Sequence, residues 1–227
     1  MQVLYEDNHI IVVNKAAGEI VQGDKTGDRP LSETVKDYIK EAYAKPGEVF
    51  LGVVHRLDRP VSGCVLFART SKALSRLNAL FASHTQVRKT YWAIVTQRPP
   101  AESGTLTHWL TRNEAKNTAR AHDHEVPGSK RAVLDYRLLA ASERYFLVEV
   151  TLHTGRHHQI RCQLAKVGCP IRGDLKYGAP RSNPDGSISL HARRLVLEHP
   201  VSHKTIDIVA PVPDERLWQE ITQAALS

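Results

Sequence analysis

Four short strings hold the residue types that could do chemistry. HRLDRPVSG, residues 55–63, carries Asp58, the sole acidic side chain between Glu48 and Glu102. Eight cations share that stretch: Arg56, Arg59, Arg69, Lys72, Arg76, Arg88, Lys89 and Arg98. A lone carboxylate in so basic a segment can act as a nucleophile or proton acceptor beside a polyanion. A structural Arg–Asp pair fits the same string taken alone. HTGRHHQIRCQL, residues 153–164, places Arg156 and Arg161 around a helix start, with His157, His158 and Gln159 between them. A helix start offers backbone N–H groups to an anion, and a buried arginine can hold a carboxylate in its ionised form. RKTYWAIV, residues 88–95, puts Tyr91 in an alternating run behind two cations, as a core ring or as one that stacks on a base. SLHARRLVLEHP, residues 189–200, supplies Leu190 as an apolar wall and His191 as a structural histidine.

His153, His157, His158 and Cys162 are close in sequence. No H-E-x-x-H or paired C-x-x-C spacing accompanies them, and the intervening arginines would repel a cation, so no metal is expected. GxGxxG, Walker and GxSxG signatures are absent, so nucleotide-cofactor and serine-hydrolase readings have no support.

The elements that must position these residues follow from periodicity. Residues 3–6 and 10–15 read as strands, followed by a Gly-rich polar loop. Leu31–Ala44 has a helical period, 63–69 reads as a buried strand, and Ser71 can cap a helix through His84. Lys89–Thr96 is β-rich. Residues 111–132 lack either period and read as a long polar loop, expected to be mobile and to grip a partner. Strands at 132–140 and 145–152 flank the turn ASER, and a helix over 156–167 ends at Gly168. Late strands cover 188–197 and 205–209, and a terminal helix starts at Pro213. Adjacent strand runs with helices between some of them predict an α+β fold with a mixed, mostly antiparallel central sheet flanked by helices and loops. One domain over 1–227 is expected.

The 227 residues carry a net charge of +7, distributed unevenly. Residues 51–100 hold +7 and 151–200 hold +5, whereas 1–50 sums to −3. Two arginine-rich blocks that meet would form a track for phosphates. Three cysteines do not suggest a disulfide framework and read as buried thiols in a reducing compartment. No signal peptide or membrane-length apolar run is present, so a cytoplasmic monomer is the default expectation.

Together the strings resemble the RluA-type family of RNA pseudouridine synthases. HRLDRPVSG resembles the family's HRLD motif, which continues through two residues to TSG; KTYWAIV resembles its tyrosine strand. TGRHHQIRCQLAKVGCPIRGDLKYG resembles its GRxHQIR segment, and SLHARRLVLEHP its late LHA strand. The resemblance implies isomerisation of uridine within structured RNA, tRNA or rRNA, with no metal or organic cofactor. It implies that Asp58 acts at the ribose as nucleophile or as base at C2′, that Tyr91 stacks on the base, and that Arg161 pairs with Asp58. Leu190 would pack on the base. Arg56 would displace the nucleotide or hold its phosphate, with Arg156, His157 and Gln159 as further substrate contacts. The chain departs from the pattern at Val61, where threonine is usual, at Ala16, where the KPxG turn has proline, and at RCQL, where RVHL is commoner. Ala16 is expected to loosen its turn. The chain is expected to start at the catalytic part with no S4 domain before it, and RNA contacts are then expected from the catalytic part itself. An RNA-binding or RNA-folding protein with secondary or no catalysis is the competing reading.

Overall fold

The computed structural model describes residues 1–83 and 86–226. In chain order the elements are β1 (Gln2–Glu6), β2 (Ile10–Lys15), α1 (Leu31–Ala42), β3 (Gly52–Val53), β4 (Ser62–Ala68), α2 (Ser71–Ser83), β5 (Val87–Val95) and β6 (Ser103–Asn113). Then come β7 (Thr118–His122), β8 (Lys130–Ala141), β9 (Phe146–Leu152), α3 (Gln159–Lys166), β10 (Leu190–Glu198), β11 (Thr205–Val209) and α4 (Arg216–Leu226). The expected α+β class, with mostly antiparallel strands, is what forms. Two compact units divide the chain, 1–88 with 193–211 and 89–192 with 212–227, and the chain passes between them inside β5, inside β10 and again after Pro211.

In the first unit β2 pairs antiparallel with β1 and β4, and β10 with β11. Ile10, Val12, Cys64 and Leu66 share a core with Leu77 of α2 and with Leu195, Leu197 and Ile208. α2 is capped by Thr70, one residue before the expected Ser71: the Thr70 hydroxyl accepts the Ala73 N–H at 3.1 Å. The expected helix end at His84 lies outside the described residues. α1 buries Leu31, Val35 and Ile39, one face at a spacing of four. No side chain caps it; instead the Leu31 and Ser32 N–H groups donate to the carbonyls of Ile20 and Val21 in the preceding loop. Asp7 ties the β1–β2 turn to the β10–β11 turn. Its carboxylate accepts from the His9 and Ile10 amides, the Tyr5 hydroxyl and His199 Nε2. His199 Nδ1 in turn accepts the Val201 and Ser202 N–H groups.

In the second unit the strands run β5-β9-β8-β6-β7, all antiparallel. Direct cross-strand partners share a face, so Tyr91, Val150, Tyr136 and Gly104 point one way. Leu110, Ala121 and Ala132 follow on that face and pack against Cys162 of α3. Trp92, Ile94 and Leu147 point the other way and pack on Trp218 and Ile221 of α4. α4 starts at Arg216 rather than Pro213, and α3 at Gln159 rather than 156. Its predicted end at Gly168 is in place, with φ 83°.

The expected long loop at 111–132 is instead the β6–β7 hairpin and the start of β8. Trp109–Asn113 pairs with Thr118–His122 around a turn whose Asn117 has φ 48°. β7 reads TARAH, and alanine gives little hydrophobic contrast against threonine, so the period-2 signal is faint. Cys64, Cys162 and Cys169 are buried and free, as expected. Among the described residues no helix is long and apolar enough to cross a membrane.

Candidate active site

Asp58 sits half-buried in the segment between β3 and β4, with Arg56 exposed beside it and Leu57 buried. The segment is held from several directions. The Val61 N–H donates to Asp58 O at 3.0 Å, closing a turn across Arg59 and Pro60. Val61, in the usual threonine's place, is buried. The Gly18 N–H donates to Arg59 O at 2.7 Å. His55 Nε2 accepts the Leu66 N–H of β4 at 2.9 Å.

Lys15, unremarked in the sequence, is the main organiser of this loop. Its side chain is 1% exposed, and Nζ donates to the carbonyls of Ala16, Arg59 and Val61 at 3.0, 3.1 and 2.6 Å. Burial pushes the ammonium down to about 8, while the carboxylates of Glu19 and Asp58 oppose that. The KPxG departure is also explained. Ala16 has the N–H that proline lacks, and it donates to Glu19 Oε2 at 2.9 Å. The turn expected to be loose has gained a charge-assisted bond.

Many cations around Asp58 have protein partners, so the phosphate track expected from the two basic blocks draws on fewer cations than the count along the chain suggests. Arg59 binds Asp28 at 2.8 Å and Thr26 at 3.0 Å. Arg69 donates to Asp7 O and lies over the Tyr43 ring, Arg76 donates to Pro200 O, and Arg98 pairs with Glu102. Arg56, Lys72 and Arg88 are exposed. The second basic block behaves likewise: Lys166 pairs with Asp123, Arg172 with Glu215 and Arg194 with Asp207. Each cation neutralised by a distant acid was invisible to a count along the chain.

In the second unit Tyr91 is half-buried on the sheet face that α3 covers, as the β5 register requires. Leu190, at the start of β10, is buried. Arg161 is buried on α3, and its Nε and Nη2 reach Asp174 Oδ2 and Oδ1 at 2.7 and 2.8 Å. This is a bidentate pair with side chains 6% and 1% exposed. Asp174 was missed because only the fold brings it back to the arginine.

The turn before α3 uses Gln159 internally. Its Oε1 accepts from Thr154 Oγ1 and the Arg156 N–H, and its Nε2 donates to Val133 O. Arg156 donates from Nε to Arg131 O at 3.0 Å. His157 stacks on His158 with ring centres 3.8 Å apart. The helix start is less available to an anion than the sequence suggested, since the Gln159 N–H already donates to Arg156 O. Elsewhere in this unit a cavity of about 510 Å³ lies beside β7 and α3, lined by Arg120, His122, Asp123, His124 and Lys166 among others.

Comparison with known proteins gives the class. Residues 9–166 match the family model of RNA pseudouridylate synthase. An uncharacterized RNA pseudouridine synthase of Bacillus subtilis is 34% identical over 94% of this chain and 69% of its own length. Ribosomal large subunit pseudouridine synthase C of Vibrio cholerae is 32% identical over 97% of this chain and 68% of its own. tRNA pseudouridine synthase C of Salmonella typhimurium is 34% identical over 98% and 89%. The solved structure of human RNA pseudouridylate synthase domain containing 4 has the same fold, with TM-score 0.79 over 99% of this chain and 93% of that one, at 23% identity. The protein is thus an isomerase that acts on RNA. The chain belongs to the RNA pseudouridine synthases, and among them to the RluA type.

Proposed function

We propose that this chain converts uridine to pseudouridine in structured tRNA or rRNA, with Asp58 acting at the ribose of a flipped-out nucleotide. The C1′–N1 bond breaks and uracil turns within the pocket. C1′ then bonds to C5, C5 loses its proton and N1 gains one. Atoms and electrons balance without a metal or organic cofactor. Asp58 serves as nucleophile or as base at C2′, and both routes need it ionised.

The observation that carries this reading is the Asp58 loop. A half-buried carboxylate stands on a segment whose carbonyls are gripped by a buried ammonium, within the HRLD motif of a matched family. Flipping the base costs about a few kcal/mol, which contacts from Arg56, Arg156 and His157 offset. Tyr91 stacks on the detached uracil and Leu190 walls it in, keeping it near the sugar. Arg161 supports the Asp58 carboxylate, and Gln159 shapes the turn that carries Arg156. Relatives named for tRNA and for the ribosomal large subunit support those two RNA classes. Residues 1–227 act as one catalytic domain in a cytoplasmic monomer.

Quantifying pseudouridine in RNA from cells lacking the gene, after treatment with wild type or Asp58→Asn, tests the reading. Wild type is expected to form product and Asp58→Asn none. Equal product from both removes Asp58 from the chemistry. RNA binding without product from either leaves an RNA-binding protein.

A further inference from the structure

The segment Gly173–Gly178, GDLKYG, has no role in the function so far beyond Asp174. Gly173 and Gly178 have φ 87° and 97°, and a Cβ at Gly173 would meet Asn183 and the Ser187 carbonyl at 2.6–2.7 Å. The backbone between them forms a short 3-10 turn, Leu175–Tyr177. Asp174 takes the Nε–Nη2 edge of the Arg161 guanidinium, while the Tyr177 ring centre lies 5.1 Å from its central carbon. The third contact runs through His158. Its Nε2 is 3.1 Å from Arg161 Nη1 and its Nδ1 is 2.7 Å from the Tyr177 hydroxyl.

The protons in this chain of contacts follow from donor chemistry. A guanidinium only donates, so His158 Nε2 is the acceptor. A neutral imidazole then carries its proton on Nδ1, which donates to the Tyr177 oxygen. That oxygen also accepts the Ala119 N–H of β7 at 2.8 Å. Both of its lone pairs are engaged, and burial pushes the phenol up to about 12, so it stays protonated at neutral pH. The β7 backbone thereby fixes Tyr177, Tyr177 fixes the tautomer of His158, and His158 presents a lone pair to Nη1. His158 itself has φ 50°, a conformation that the surrounding contacts must hold.

We propose that Tyr177 and His158 are positioning residues that set the orientation of Arg161 for turnover, resting on the role given to Arg161 above. Asp174 holds the Nε–Nη2 edge of the guanidinium. The His158 acceptor defines its far end.

The experiment is single-turnover pseudouridine formation and RNA affinity for wild type, Tyr177→Phe, His158→Gln and His158→Phe, on RNA from cells lacking the gene. It is paired with ¹⁵N NMR of the histidine rings in wild type. His158 is expected as the Nδ1–H tautomer. Tyr177→Phe is expected to slow turnover about tenfold with RNA affinity within about twofold. His158→Gln, whose amide oxygen can sit where Nε2 sat, retains most of the rate, and His158→Phe does not. An Nε2–H tautomer in wild type overturns the relay whatever the rates. An active wild type with unchanged Tyr177→Phe and His158→Phe rates overturns the positioning role alone. A wild type that forms no product removes the proposed function and the role together, and is told apart by that blank.

Discussion

Removing Arg161 tests two things at once, because the structure pairs it with a buried acid. Arg161→Met strips Asp174 of a bidentate partner at 2.7 and 2.8 Å, in a site where that carboxylate is 1% exposed. Breaking one side of a buried pair costs about 3–5 kcal/mol, since the remaining charge loses its compensation. Asp174→Leu has the mirror effect on Arg161. Against a total stability of about 5–15 kcal/mol, either single variant lowers the melting temperature by roughly 6–20 °C for a chain of this size. Arg161→Met/Asp174→Leu replaces both charges by apolar groups and is expected within about 1–2 kcal/mol of wild type. Urea unfolding of the four proteins gives the cycle, and pseudouridine assays on the same samples give the activity. The double variant should be stable and inactive, which separates support of the fold from support of Asp58. Single variants as stable as wild type would refute the buried-pair energetics. A stable double variant with wild-type turnover would refute the place of Arg161 in the reaction.

Turnover should fall as pH rises through about 8, because a neutral Lys15 amine cannot supply all three bonds to Ala16, Arg59 and Val61. Stability should not follow it. The folded value lies below the ordinary 10.5, so between them the unfolded chain holds the extra proton and this group's contribution rises with pH. A rate profile flat from about 7 to 9.5 would sink the assignment. For Asp7, burial pushes the carboxyl up, but bonds from His9, Ile10 and Tyr5 and the charge of His199 outweigh it and hold it below the usual range. Its stabilisation is present above the unfolded carboxyl value and lost as pH falls through the folded one. Asp7→Ala should cost roughly 1–3 kcal/mol at neutral pH and converge on wild type in acid; equal stability at pH 7 would contradict this. Burial pushes the Cys64 and Cys162 thiols up to about 12 and about 11, so native protein should react slowly with thiol reagents until unfolded. The β6–β7 amides should resist hydrogen exchange without RNA, where a mobile 111–132 loop would exchange at once.

The legible parts of the chain were those with strong contrast. IIVV of β2 and GCVLFA of β4 are unbroken runs without a polar side chain, and Asp58 stood out by charge. β7 was lost because alanine and threonine carry little pattern. Lys15 was lost because a buried lysine looks in sequence like any surface one. Asp174 and Tyr177 were quoted within a matching string, yet their tie to Arg161 depends on a turn that returns them to α3. Residue types could mark candidate reacting groups, but partner choice was written in the folded contacts.

The passage of the chain between units within β5 and β10 governs how the protein is made. Unit one is built from 1–88 and 193–211, and its core joins Ile10, Val12, Cys64 and Leu66 to Leu195, Leu197 and Ile208. About a hundred residues separate those two segments. At ribosomal rates that interval lasts roughly 5–20 s. During it, the apolar faces of β2 and β4 wait in the cell without the side chains that complete their core, a window for chaperone capture during translation.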